Sequence, residues 1–406
     1  MAKSGRSYCR SLCLFTQVQA TNGNSKRHRQ LVLLTLSNRH SSRTSACNQI
    51  QTSTAIYPHQ AEAISLKKAT EEVAVLPKSI YKERLVTVTS CSELFKSWKT
   101  TRPGYKYVNP NGVRVTVPYI HTGLDRNAGE GPTVVAIHGA PGNYNDFSAL
   151  TSELDSLGAS VVVPTLPDLD FSMETQSFWH SVEEKADLLK QYLTAINLKE
   201  IDMFVTHSSS MYPILRLAVH DPDIRVRSLV FIAPAGCRRI AQLSPFWIMK
   251  NFDAWFRVPW LQRFMCDLAV YIVRVLGKPN NNQIKGTILS MITMMHAKYD
   301  EAGPMVRDLK RRNIPMLMLF GEKDKLIDCA VSNEMAAMLG VTAKQMWMYK
   351  GKDDREAELV QKGLPHGNSE VVCFKQGTHF AFKKFPTIFN HIISRFFEEH
   401  ITKKQY

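Results

Sequence analysis

From about residue 105 the chain alternates short apolar runs with amphipathic stretches. Asn109-Pro110-Asn111-Gly112 reads as a turn, and Val113 to Tyr119 alternates apolar and polar positions as a half-buried strand does. Thr133-Val134-Val135-Ala136-Ile137 is apolar and largely β-branched, which predicts a strand buried on both faces. Helical spacing over Phe147 to Leu157 comes next, then an apolar strand over Ala159 to Val163. Phe178 to Ile196 predicts a longer amphipathic helix with Glu183, Glu184, Lys185 and Asp187 on its wet side. A strand over Ile201 to Thr206 runs into a helix from about Ser209 to Val219. Ser228 to Ile232, Ile314 to Phe320 and Glu370 to Phe374 are further strands, with a helix around Asn333 to Leu339 between the last two. Strands alternating with helices imply an α/β fold, a mostly parallel sheet covered on both sides. The regularity breaks only from Gly236 to about Gly303, where no strand pattern occurs.

This pattern divides the chain of 406 residues into a tail (1–61), a lead-in (62–104), a first core part (105–236), an interrupting segment (237–303) and a second core part (304–400). The lead-in has an amphipathic part near Glu71 and a strand-like Leu85-Val86-Thr87-Val88. Apolar residues make up 44% and charged residues 21%, the balance of a globular protein with ample material for a core. No apolar run approaches the roughly 20 residues that cross a bilayer. The eight cysteines include no C-x-x-C pair, which gives no local zinc or redox motif and no disulfide framework, and most are expected as buried thiols.

The net charge of +15 is unevenly spread. The tail holds eight Lys/Arg and no acid, leaving 43 basic against 36 acidic residues for the other 345. More than half of the excess therefore belongs to the tail, and a nucleic-acid partner, which needs a basic face on the folded body, is not expected. At 100° per residue, Lys3, Arg6 and Arg10 share a face opposite Tyr8, Leu12 and Phe15. An Arg-rich, Ser-rich, acid-poor amphipathic start resembles a mitochondrial transit peptide. An unaddressed extension on a cytoplasmic protein is the alternative. The run Leu31-Val32-Leu33-Leu34 behind Lys26-Arg27-His28-Arg29 is too brief and too far along for a secretory signal.

Three places can carry chemistry. His138-Gly139-Ala140-Pro141-Gly142 leaves a buried strand along a path that glycines permit, with amides available to an anion; a plain exit turn is the other reading. Thr206-His207-Ser208-Ser209-Ser210 joins a strand to a helix, and a tight turn there lifts Ser208 above the sheet edge with the Ser209 N–H at a helix start. Three serines that merely cap a helix are the alternative. Asp324, in Phe320-Gly321-Glu322-Lys323-Asp324, and His379, in Gly377-Thr378-His379-Phe380, each follow a strand. Strand ends of a parallel sheet converge on one edge, where α/β proteins bind ligands.

The combination over residues 105–400 resembles the α/β-hydrolase superfamily, whose chain order is nucleophile, acid, histidine. The resemblance implies an α/β-hydrolase fold, Ser208 as nucleophile, His379 as general base and Asp324 as its orienting acid. The amides of Ala140 and Ser209 would form the oxyanion hole, and a helical lid would occupy 237–303. No metal or organic cofactor is implied. A serine at the elbow argues against the epoxide-hydrolase and dehalogenase branches, which place an aspartate there. Two features depart from the family pattern: Thr206 and Ser210 stand where glycines are usual, and 55 residues separate Asp324 from His379, with a charged insertion near Lys350 to Glu358. His366 and Asp328 are the reserve histidine and acid.

The implied activity is that of a serine hydrolase cleaving an ester, thioester or similar acyl bond of a small hydrophobic or lipid-like substrate. A catalytically inactive binding protein of the same fold and an acyltransferase are the rivals. In 237–303, Phe246, Trp247, Trp255, Phe256, Trp260, Phe264, Met291, Met294 and Met295 suggest an apolar, adaptable pocket, or simple packing of the lid on the core. Between 237 and 278 seven Lys/Arg stand against two Asp, which with the tryptophans also fits peripheral membrane contact through the lid. Nothing in the chain specifies an oligomer.

Overall fold

The computed structural model describes residues 81–102, 109–125, 131–140, 142–167, 181–239, 246–256, 258, 260–261, 264–265, 267–268, 271, 275, 291–364 and 367–401. The tail with its address, the segment near Glu71 and the reserve His366 lie outside the described residues.

The described residues form twelve strands: β1 (Arg84–Ser90), β2 (Val113–His121), β3 (Thr133–Ile137), β4 (Ser160–Pro164), β5 (Glu200–Ile201), β6 (Met203–His207), β7 (Arg225–Val226), β8 (Leu229–Ile232), β9 (Met316–Gly321), β10 (Trp347–Lys350), β11 (Glu358–Gln361) and β12 (Ser369–Phe374). Ten of them make one sheet in the order β1-β2-β4-β3-β6-β8-β9-β12-β10-β11, while β5 and β7 pair apart as two-residue strands. The six strands from β4 through β12 run parallel, β1 and β2 enter antiparallel at one edge, and the β10–β11 hairpin closes the other. The central strands are apolar throughout because helices cover both faces. Val135 and Ile137 of β3 point into one core layer, Val134 and Ala136 into the other.

Eight helices matter to this arrangement: α1 (Ser92–Thr101), α2 (Ser148–Ser156), α3 (Val182–Ala195), α4 (Met211–His220), α5 (Phe246–Phe256), α6 (Tyr299–Arg311), α7 (Cys329–Met338) and α8 (Pro386–His400). Helices α1, α3, α4, α6 and α7 supply one layer, and α2 and α8 the other. Helices α1, α6 and α8 and the β10–β11 hairpin go beyond the sequence expectation. The charged insertion near Lys350 to Glu358 is the turn of this hairpin, so part of the long separation between Asp324 and His379 forms β10, paired on both sides, and the edge strand β11. Charged residues suit such a position, since an edge strand faces water and must not recruit another sheet.

The wet side expected for α3 is corrected. Glu183, Glu184 and Lys185 are buried, and Asp187 is half-buried. Glu184 closes a capping box, accepting from the Ser181 amide at 2.8 Å while Ser181 Oγ accepts from the Glu184 amide at 3.2 Å. Glu183 pairs with Lys298 at 2.9 Å and with Arg102 at 3.6 Å. Burial pushes its carboxyl up, but the bond from Lys298, a backbone bond and the charges of Lys298 and Arg216 together outweigh this, and the net shift is downward. Asp187 Oδ2 accepts from the Cys91 amide at 2.5 Å and from Ser90 Oγ at 2.8 Å, tying the end of β1 to α3. Cys91 sits there at φ 66°, a left-handed position for a residue with a side chain.

Asp187→Ala leaves that buried turn without its acceptor. Two hydrogen bonds to a charged group are lost at about 1.5–3 kcal/mol each, so we expect a loss of about 3–6 kcal/mol in urea unfolding. An unchanged midpoint would show that β1 is held otherwise.

Candidate active site

Strand register decides which loops meet. Ile137 pairs with Thr206, His207 with Ile232, Ile232 with Leu319, and Gly321 with Phe374. The carboxyl ends of β3, β6, β8, β9 and β12 therefore finish along one edge, and the segments that leave them begin there.

Ser208 follows β6 with φ 58°, and residues Ser208–Ser210 turn once before α4. A left-handed serine costs on the order of 1–3 kcal/mol and persists only where neighbours fix it. Ser210 does much of the fixing. Its Oγ accepts from the His207 amide at 3.0 Å, and its one proton is shared between the carbonyls of Ile137 (3.0 Å) and His207 (2.8 Å). The Ser208 carbonyl accepts from the Ala235 amide at 3.3 Å, where the chain leaves β8. Thr206 is fully buried within β6, and its Oγ1 bonds to the Val230 carbonyl at 3.3 Å. The two residues that replace glycines are thus accommodated by hydroxyl bonds, and the turn forms around them.

The loop after β3 lies directly against this turn. A Cβ placed on Gly139 would stand 2.6 Å from His207 Nδ1 and 3.1 Å from Ser208 Cβ, so only glycine fits. His138 holds the loop: its Nε2 accepts from the Leu166 amide at 2.9 Å, which leaves Nδ1–H to donate to the Gly139 carbonyl at 2.6 Å. Ala140 is half-buried and Ser209 is buried. Further along, Asp146 accepts from the Asn143 amide at 3.2 Å and pairs with Lys383 at 2.7 Å, a link to the segment after His379.

Asp324 and His379 meet at the same edge. His379 Nδ1–H donates to Asp324 Oδ2 at 2.7 Å, with both side chains buried. Asp324 Oδ1 accepts from the amides of Leu326 (2.7 Å) and Ile327 (2.9 Å), so three donors orient the carboxylate. The bond to Nδ1 leaves Nε2 as the acceptor atom of the His379 ring. The approach depends on two glycines. A Cβ on Gly321 would lie 2.3 Å from the Gly377 carbonyl carbon, and one on Gly377 would lie 3.0 Å from Gly321 Cα. The reserve acid Asp328 is exposed and its carbonyl starts α7, accepting from the Val331 amide at 2.8 Å. Among the described residues no hydrogen bond joins Ser208 Oγ to His379.

His207 is the participant that sequence reasoning passed over. It is buried, its Nε2–H donates to the His379 carbonyl at 3.3 Å, and the two rings stand 4.9 Å apart. Phe380 and Phe382 pack on it at 5.4 and 5.0 Å. Burial holds its imidazole well below the usual histidine range, and His379, Lys383 and His138 add repulsion. The only signal in the sequence was its place beside Ser208; its neighbours come from the distant segments around Gly139 and His379. Among the described residues no group of three His, Cys, Asp or Glu side chains could hold a metal ion.

This edge, on this strand order, is that of the α/β-hydrolase fold. The family described as alpha/beta hydrolase of unknown function (DUF1057) matches residues 98–398, and the chain belongs to it. No curated protein matches the sequence. Among solved structures, the chain is similar to a candidate lipase of Acinetobacter baumannii, with 15% identity, a TM-score of 0.50, and coverage of 87% of this chain and 100% of that one. It is similar to a thermophilic esterase of Thermogutta terrifontis (16% identity, TM-score 0.49, 78% and 99% covered) and to a carboxylesterase of Bacillus subtilis (12%, 0.47, 83% and 98%). At such identities the likeness is one of fold.

The depressed His207 sets a pH dependence. An unfolded histidine titrates near 6.5 while the folded ring stays neutral, so the unfolded chain binds the extra proton as the medium acidifies. His207's share of stability is fully present above about pH 6.5 and falls by up to about 1.4 kcal/mol per pH unit below it. His207→Gln, which keeps a donor for the His379 carbonyl, should flatten the urea midpoint between pH 7.5 and pH 5. Equal slopes in the two proteins would mean that His207 takes up its proton in the folded state.

Proposed function

We propose that the protein is a serine hydrolase that cleaves an ester, thioester or similar acyl bond of a small hydrophobic or lipid-like substrate through a Ser208 acyl-enzyme. The observation that carries this reading is the buried 2.7 Å bond between His379 and Asp324, at the edge where a left-handed Ser208 abuts Gly139. A serine hydroxyl needs an adjacent imidazole to take its proton. His379 Nε2 would accept that proton during attack and return it to the leaving group, while Asp324 holds the tautomer that permits both. The amides of Ala140 and Ser209 would receive the developing oxyanion, fixed donors being most effective where water is excluded.

The segment 237–303 is read as a lid because it departs just past Ala235, whose amide is bonded to the Ser208 carbonyl. Its aromatic and methionine side chains would offer an apolar pocket to the acyl group. A second reading, a binding protein of the same fold, draws on the missing bond between Ser208 Oγ and His379 among the described residues. Catalytic hydrogen bonds are often long before substrate binds and tighten in the complex, so the hydrolase reading is preferred.

A fluorophosphonate probe tests the reading. Wild type should label, and Ser208→Ala should not, at unchanged thermal stability. Asp324→Asn should lower kcat for a p-nitrophenyl ester by about 10^3–10^4-fold, as loss of the productive tautomer does. Gly321→Ala, which forces the Asp324 and His379 backbones apart, should reduce kcat more than it changes KM. Folded wild type that neither labels nor turns over esters would favour the binding protein; transfer of the acyl group to an added alcohol in preference to water would favour an acyltransferase.

A further inference from the structure

The described part of 246–275 carries an apolar surface that the candidate site does not use. In α5, Trp247 and Trp255 lie two turns apart on one face and are 66% and 57% exposed. Half of the positions in 260–275 are described, and those are helical. Trp260, Phe264, Leu268, Tyr271 and Val275 recur there at steps of four, four, three and four. At 100° per residue they occupy an arc of about 80°. All five are exposed, from 38% at Leu268 to 80% at Trp260, while Met265, off that arc, is buried. A stripe of this size on a soluble body marks an interaction surface.

We infer that this stripe binds the surface of an anionic phospholipid bilayer. Tryptophan and tyrosine suit the headgroup boundary, where a ring meets acyl chains and a polar edge meets water. Charge selects the lipid. Residues 237–278 hold seven Lys/Arg against two Asp, and Asp253 is buried in a 3.0 Å pair with His296. Lys250 of α5 is exposed, and the exposed Arg239 lies over the Phe246 ring of the same helix. The chain's own tail is a poor occupant because it has the same sign, eight Lys/Arg and no acid. A second copy would likewise set two positive surfaces against each other. No helix among the described residues is long and apolar enough to cross a membrane, so the contact is peripheral. The inference goes beyond the hydrolase reading and stands without it, since lipid contact requires no Ser208.

The test uses the full chain with vesicles of phosphatidylcholine, alone or mixed with phosphatidylglycerol, carrying bromine on the acyl chains to quench inserted tryptophan. The tail contains no tryptophan, so quenching reports the body of the protein and sedimentation reports either part. We expect sedimentation and quenching with the anionic vesicles, both reduced by high salt. Trp260→Ser with Phe264→Ser and Tyr271→Ser should weaken binding on the order of a hundredfold at an unchanged thermal midpoint, because apolar burial is lost. Ser208→Ala should bind as wild type does, which separates this inference from the catalytic one. Sedimentation without quenching would assign binding to the tail and overturn the inference. So would equal binding to neutral vesicles, no binding to either, or a dimer in solution that the triple variant dissolves.

Discussion

The pairing of β9 with β12 sets Gly321 opposite Phe374, and from that register two chains leave the sheet side by side. They approach so closely that neither Gly321 nor Gly377 has room for a Cβ, and the Lys323 amide bonds to the Gly377 carbonyl at 2.9 Å across the gap. The bond between Asp324 and His379 is a consequence of that contact. Shift the register by one residue, or fill the gap with a methyl group, and the carboxylate and imidazole separate, since their side chains have little reach of their own. The same logic governs the opposite side of the site, where Gly139 lets the loop after β3 rest on His207 and Ser208.

His207 links these two contacts. Its ring lies between the loop of Gly139 and the backbone of His379, and its proton goes to the His379 carbonyl. A neutral, buried imidazole is suited to this task because it fills volume and offers a directed donor without adding charge beside a second histidine. The pair of Lys383 with Asp146 then ties the segment after His379 to the loop after β3 from outside. The edge is therefore held as one unit, and the serines at 208 and 210 are part of its framework.

The charges buried beneath α3 follow a different economy. Glu183, Glu184 and Asp187 each spend their acceptors on a specific partner, respectively the Lys298 ammonium, the Ser181 amide and the Cys91 amide. Burial of a carboxylate is tolerable when its lone pairs are satisfied in this way. These bonds connect β1, α3 and the start of α6, three elements far apart in the chain. They anchor the antiparallel edge of the sheet to the helical layer next to the central strands.

What the sequence determined alone is local. Runs such as Thr133–Ile137 and Ile201–Thr206 are apolar enough to read as central strands, because β propensity acts over a few residues. The order Ser208, Asp324, His379 was likewise visible as three polar residues after three such runs. The tertiary structure decided the rest. Helical periodicity puts charges on one side of α3 but does not reveal that the ends of β1, α1 and α6 pack against that side too. The alternating, charged β10–β11 hairpin looks like an insertion until it is seen paired at an edge. His207 acquires its role from groups on two other loops, those after β3 and β12. In each case the deciding term is an interaction between distant segments, which a local pattern does not contain.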